Sequence, residues 1–127
     1  MKFRLAKVVR YWWPVTFTMP DPVRPGERVE QRLQVQFAAR DREAVVAAYE
    51  RYQTLSTERE RVEHEHAEIR AIVTNWDDVV DDAGDPVAFS AEALEAALQQ
   101  VWFRRGVLAA YGDSLASQTG EAGRLGN

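Results

Sequence analysis

The chain has 127 residues, 46% hydrophobic and 28% charged, which is room for one globular domain and not for two catalytic ones. With no cysteine, disulfides, thiol catalysis and cysteine-ligated zinc or iron–sulfur sites are excluded. The net charge of −4 is uneven: residues 1–56 carry ten Lys/Arg against six Asp/Glu and residues 57–127 carry six against fourteen, so only the N-terminal half is basic enough to attract phosphate.

The opening stretch MKFRLAKVVRYWWPV is interrupted by Arg4, Lys7 and Arg10, which leaves no apolar core for a signal peptide. No stretch approaches the roughly 20 apolar residues of a membrane span, so a cytoplasmic protein is expected. Phe3, Leu5 and Val8 suggest a short first strand. Clear alternation follows, with Val15, Phe17 and Met19 on one side and Thr16 and Thr18 on the other, then Leu33, Val35 and Phe37 against Gln34 and Gln36. This two-residue period predicts a long β-hairpin with one buried face. Pro20, Pro22, Pro25 and Gly26 between the strands predict a wide loop that forbids regular pairing there. Of Tyr11, Trp12 and Trp13, at least one ring must face away from the buried side, which makes Trp12 and Trp13 candidates for partner contact.

After Asp41, a cap with Glu43 in the first turn, the residues Val45, Ala48, Tyr49, Tyr52 and Leu55 recur at helical spacing. Leu55, Val62, Ile69 and Trp76 lie seven apart, so one long helix is possible. Thr57 and Glu60 form a capping box that favours a break near Ser56 instead. Phe89 and Leu94 flank Ser90 as a hydrophobic staple, which starts the last helical region. Its stripe runs through Leu94, Leu98, Val101, Leu108, Tyr111 and Leu115, with Gly106 as its weak point. Trp102 and Phe103 cannot both lie on that stripe, because neighbouring helical positions are about 100° apart. The expected class is α+β: an N-terminal hairpin over 1–39, then three to four helices over 41–117 in a single domain 1–117, then a flexible tail over 118–127.

Two clusters invite a chemical reading. NWDDVVDDAGDPVAFS gathers Asp77, Asp78, Asp81, Asp82 and Asp85 around Gly84. An EF-hand register with Gly84 at the sixth place puts Val79, Ala83 and Ser90 where ligands belong, so a solvated turn is expected. HEHAE holds both histidines, His64 and His66, at a spacing that turns the two imidazoles about 200° apart on a helix. They cannot share a metal; His64 with Glu68 could, but reads as a solvated face. No nucleophile–base pair and no Gly-rich phosphate loop is present, so no catalytic residue, metal or cofactor is expected.

The order WWPVTFTMPD, QFAARDREAV, a charged helical stretch, VTNWDDVVDDAGDPVAFSAEALEAAL, FRRGVLAAYGDSL and a terminal GRLGN resembles the tail assembly chaperones of long-tailed phages and prophages. The resemblance spans nearly the whole chain, and its most specific part is Trp76, the acidic turn at Gly84, Phe89–Ser90, the aromatic Tyr111 and the closing Asn127. Asn75 stands where the family commonly has glycine and offers the same left-handed conformation. A proline common between the last two helices is missing near Gln99 and Gln100.

The resemblance implies a non-catalytic chaperone that coats the tape-measure protein in the host cytoplasm, gives way to tail-tube subunits and is absent from the finished virion. Trp102, Phe103, Tyr111, Trp12 and Trp13 are the candidate contacts, and Trp76, Phe89, Leu94 and Leu108 the candidate core. Self-association is compatible with this reading, and a membrane is not. The alternative is a small interaction domain that holds nucleic acid through Arg4, Arg10, Arg24, Arg28 and Arg32.

Overall fold

A computed structural model describes residues 1–116 and shows an α+β fold. Its elements are β1 (Arg10–Pro20), β2 (Arg28–Ala38), α1 (Arg42–Gln53), α2 (Glu58–Ile72), β3 (Val73–Asp77), α3 (Ala91–Leu98) and α4 (Val101–Leu115). The strands make one antiparallel sheet in the order β1-β2-β3. The tail expected over 118–127, with Asn127, lies outside the described residues.

Register fixes what each face carries. Trp13 opposes Val35, Val15 opposes Leu33 and Trp76 opposes Val35 from the other side, so the odd-numbered residues of the hairpin share one face. That face is buried under α4, which packs on β1, and α2, which packs on β2 and β3. The core is Val15, Leu33, Val35, Phe37, Ile69, Ile72, Val73, Trp76, Leu94, Leu98, Phe103, Val107 and Ala110. The even-numbered residues point to an open face with no helix on it.

Three expectations about the strands and turns are corrected. The hairpin pairs regularly through Pro20 and Arg28, and the loop is only residues 21–27. Bonds from Ala39 N to Val9 O and from Asp21 N to Glu27 O bracket the ladder at odd positions of β1. Even positions therefore turn their backbone outward, and the missing N–H of Pro20 costs no ladder bond. Second, Phe3, Leu5 and Val8 form no strand and are exposed; β3 and β1 already fill both sides of β2, so the third strand is Val73–Asp77. Third, the left-handed residue near Trp76 is Asp78, with φ 66°, and not Asn75.

The helices start where side chains accept their free N–H groups: Asp41 from Ala44 N at 2.8 Å, Ser90 from Ala93 N at 3.0 Å, each worth about 1 kcal/mol. Thr57 accepts from Glu60 N at 3.1 Å while Glu60 accepts from Thr57 N at 3.0 Å, a closed capping box that separates α2 from α1.

The last helical region is two helices, not one. Gln99 N and Gln100 N bond back three residues, to Ala96 O and Ala97 O, and Gln100 is extended. On one continuous helix Phe103, Val107 and Ala110 would lie about 180° from Leu94 and Leu98. The break lets both sets face the core without the proline. It also replaces the expected stripe, because Val101 and Leu115 are exposed and Leu108 and Tyr111 half-buried. Gly106 is not a weak point either: a Cβ there would come within 2.8 Å of Phe17 Cδ2, so glycine is what lets α4 sit on β1.

Candidate partner-binding surfaces

The sequence-chosen aromatics divide between core and surface. Phe103 is 5% exposed and meets Phe17 and Trp76 edge-on, both with ring centroids 6.2 Å apart. Phe103 is therefore corrected from candidate contact to core residue: the buried stripe of α4 is the Phe103–Val107–Ala110 side. Tyr111 is also tied inward. Its ring lies 5.3 Å from that of Phe37 and its hydroxyl accepts from Arg40 N at 3.1 Å. Trp13 is half-buried against the core and T-shaped to Tyr11. Trp12, one residue earlier, falls on the open face and is 47% exposed. Trp102 is half-buried at the surface, its Nε1 donating to Gln100 Oε1 at 2.8 Å, which holds the indole in place.

Trp76 and Phe89 are packed together. Trp76 is 6% exposed, donates from Nε1 to Val87 O at 2.8 Å and meets Phe89 edge-on at 5.3 Å. Leu94 is buried and Leu108 is half-buried against the core.

The aspartate cluster is wired as a turn. Asp81 accepts from Ala83 N at 2.9 Å and from Asp85 N at 3.0 Å, and Gly84 takes φ 86°. Val80 bridges Pro86, closing a miniature hairpin. The carboxylate with the best position is thus already used by backbone donors. Among the described residues no group of three or more His, Asp or Glu could hold a metal ion. His64 stands beside Tyr52 with centroids 5.8 Å apart, while His66 is buried with Nε2 unpartnered. Backbone bonds from Ser56 and then Thr57 hold the Glu60 carboxyl below its usual range. It is a capping device, exposed to solvent.

Helix α1 starts at the Asp41 cap as expected, but its apolar side is left largely open. Val45, Tyr49 and Tyr52 recur at helical spacing, yet they are 53%, 65% and 43% exposed, and α1 buries no residue. It touches only α2 among the elements it packs on appreciably. Three α2 side chains make ion pairs with residues outside α1: Glu65 with Arg104 at 2.7 Å, Glu68 with Arg40, and Arg70 with Glu95 at 2.7 Å.

The sheet edges are interrupted for added strands but not closed. On β1 the outward-facing positions include Pro14 and Pro20, which have no N–H to offer. On β3 the N–H of Trp76 is taken by Asn75 Oδ1 at 2.9 Å. The nucleic-acid arginines are not gathered into a track. Arg10 and Arg32 fall on the open face, Arg28 ends the ladder beside the start of α4, Arg24 pairs with Glu27 in the loop, and Glu30 separates Arg28 from Arg32 along β2.

Among the described residues no helix is long and apolar enough to cross a membrane. No protein-family model, curated protein or solved structure matches this chain.

Proposed function

We propose that this chain is a non-catalytic tail assembly chaperone of a long-tailed phage or prophage. It holds helical segments of the tape-measure protein in the host cytoplasm, yields them to tail-tube subunits as the tail grows, and does not stay in the virion. The observation that carries the reading is the exposed apolar stripe of α1, Val45 and Tyr49, with Tyr52 at its margin beside His64 of α2. A helical client presents anchors at the same spacing, so stripe meets stripe. Tyrosine suits such a surface because its ring adds contact area while its hydroxyl keeps the free protein soluble. The prolines on the β1 edge weigh against strand addition, and the broken arginine track weighs against nucleic acid.

Co-expression with a helix-rich phage tape-measure protein tests the proposal, scored by client solubility and pull-down. Tyr49→Gln and Tyr52→Gln together should cost about 2 kcal/mol or more of client binding, and Glu63→Gln should change little. If the unmodified protein never holds the client, the chaperone reading fails. If it holds the client and the double variant holds it equally well, α1 is not the site.

A further inference from the structure

A second surface feature is independent of α1. At the loop end of the hairpin, β1 and the start of α4 enclose a cleft of about 420 Å³ lined by Phe17, Pro20, Arg28, Val101, Trp102 and Arg105. No carboxylate lines it, and among the described residues neither Arg28 nor Arg105 has an ion-pair partner. The four other arginines with such partners, Arg24, Arg40, Arg70 and Arg104, lie elsewhere.

Its walls are held in place. Pro20 and Arg28 are register partners at the end of the ladder, and the loop beyond them is braced by Asp21, which accepts from Val23 N at 2.8 Å and Arg24 N at 3.2 Å. The floor is set where Gly106 meets Phe17. Trp102 is anchored through Gln100. Thr18, also in the lining, is an even position of β1, so its N–H points away from β2 and offers one more donor.

We infer that this cleft binds an acidic–apolar peptide segment of a partner protein, a carboxylate lying between Arg28 and Arg105 and a neighbouring apolar side chain resting on Trp102. Charge complementarity selects the carboxylate: two guanidinium groups without an ion-pair partner, in a shallow depression beside apolar side chains, favour a planar anion that takes paired hydrogen bonds. Phe17, Pro20, Val101 and Trp102 supply the apolar contact beside it, and a tryptophan whose ring is already fixed loses little freedom on binding. Nucleic acid fits less well, because it needs repeated cationic contacts and successive stacking rings. Here Glu30 interrupts the arginines, and the two surface tryptophans lie apart, Trp12 on the open face and Trp102 at the cleft.

The test uses the full chain and fluorescence anisotropy with a labelled, end-blocked peptide of Glu and Leu at helical spacing, its Glu→Gln version, its Glu→Lys version and a single-stranded oligonucleotide. The acidic peptide should bind, and the Gln version should bind about tenfold or more weakly. Arg28→Glu with Arg105→Glu, whose folding is checked by circular dichroism, should lose the acidic peptide and gain the Lys version. Trp102→Ala should weaken the acidic peptide about tenfold or more, and Tyr49→Gln should leave it unchanged, which separates this cleft from the α1 stripe. Equal binding of the Glu and Gln peptides, no binding of either, or full binding by the reversed-charge variant overturns the inference. Tighter binding of the oligonucleotide, lost in the same variant, also overturns it.

Discussion

Helices α1 and α4 are both apolar enough to be read as core helices, yet one is fastened to the sheet and the other is not. Four positions of α4, Phe103, Gly106, Val107 and Ala110, are buried, and none of α1 is. The difference lies in the surface left to cover. A three-stranded sheet with one apolar face offers room for a few helices, and α2, α3 and α4 take the core positions around it. An apolar period therefore predicts that a helix forms and which side is sticky; it does not say what covers that side.

The comparison can be broken most severely at the junction beneath α4. Trp76→Ala removes the ring that Phe89 and Phe103 pack against and the bond to Val87 O, so urea unfolding should show a loss of about 3–5 kcal/mol. A loss below about 1 kcal/mol would mean that this corner is not part of the cooperative core.

Glycine substitutions sharpen the contrast within α4 itself. Gly106→Ala should destabilise by about 1–3 kcal/mol because the new Cβ meets Phe17 at 2.8 Å. Gly112→Ala meets nothing within 4 Å and should stabilise by up to about 1 kcal/mol through helix propensity. Thermal melts of the two variants side by side should move in opposite directions.

On α1 a large change should do little to stability. Tyr49→Gln removes a ring that touches solvent, and its unfolding free energy should stay within about 0.5 kcal/mol of the unmodified protein. A larger loss would show that α1 is covered in solution, with a second copy as the first occupant to test by sedimentation.

The smallest effect concerns the α1–α2 boundary and is read as a slope. The folded Glu60 carboxyl titrates below its ordinary 4.5, so its stabilisation is complete above that value and is lost as pH falls through the depressed one. Glu60→Gln keeps an acceptor for the capping box and removes the titration. Its urea midpoint should fall less steeply on acidification than that of the unmodified chain.

Local chemistry made much of this protein legible from its residues. Alternation in β1 and β2 marked the buried face; Asp41, Thr57 and Ser90 marked three helix starts; and the failed EF-hand register marked the aspartates as a turn. These signals are carried by neighbours in sequence, so no tertiary information was needed. The cleft was half legible, since adjacent Trp102 and Phe103 must diverge, but nothing in the sequence brings Arg28 to the same cleft as Arg105, 77 positions on.

What only the tertiary structure decided depends on partners distant in the chain. The third strand is Val73–Asp77 rather than the N-terminal segment, because strand pairing is settled by which edge of β2 is free. The α3–α4 break follows from the need of two oppositely placed stripes to reach one sheet face, a demand no local signal at Gln99–Gln100 states. Gly106 looked like a flaw in a helix until Phe17, from the other end of the chain, came to lie against it. The sequence by itself determined where backbone and solvent preferences are satisfied locally; the fold decided which of the resulting apolar faces found a cover, and it left the face of α1 without one.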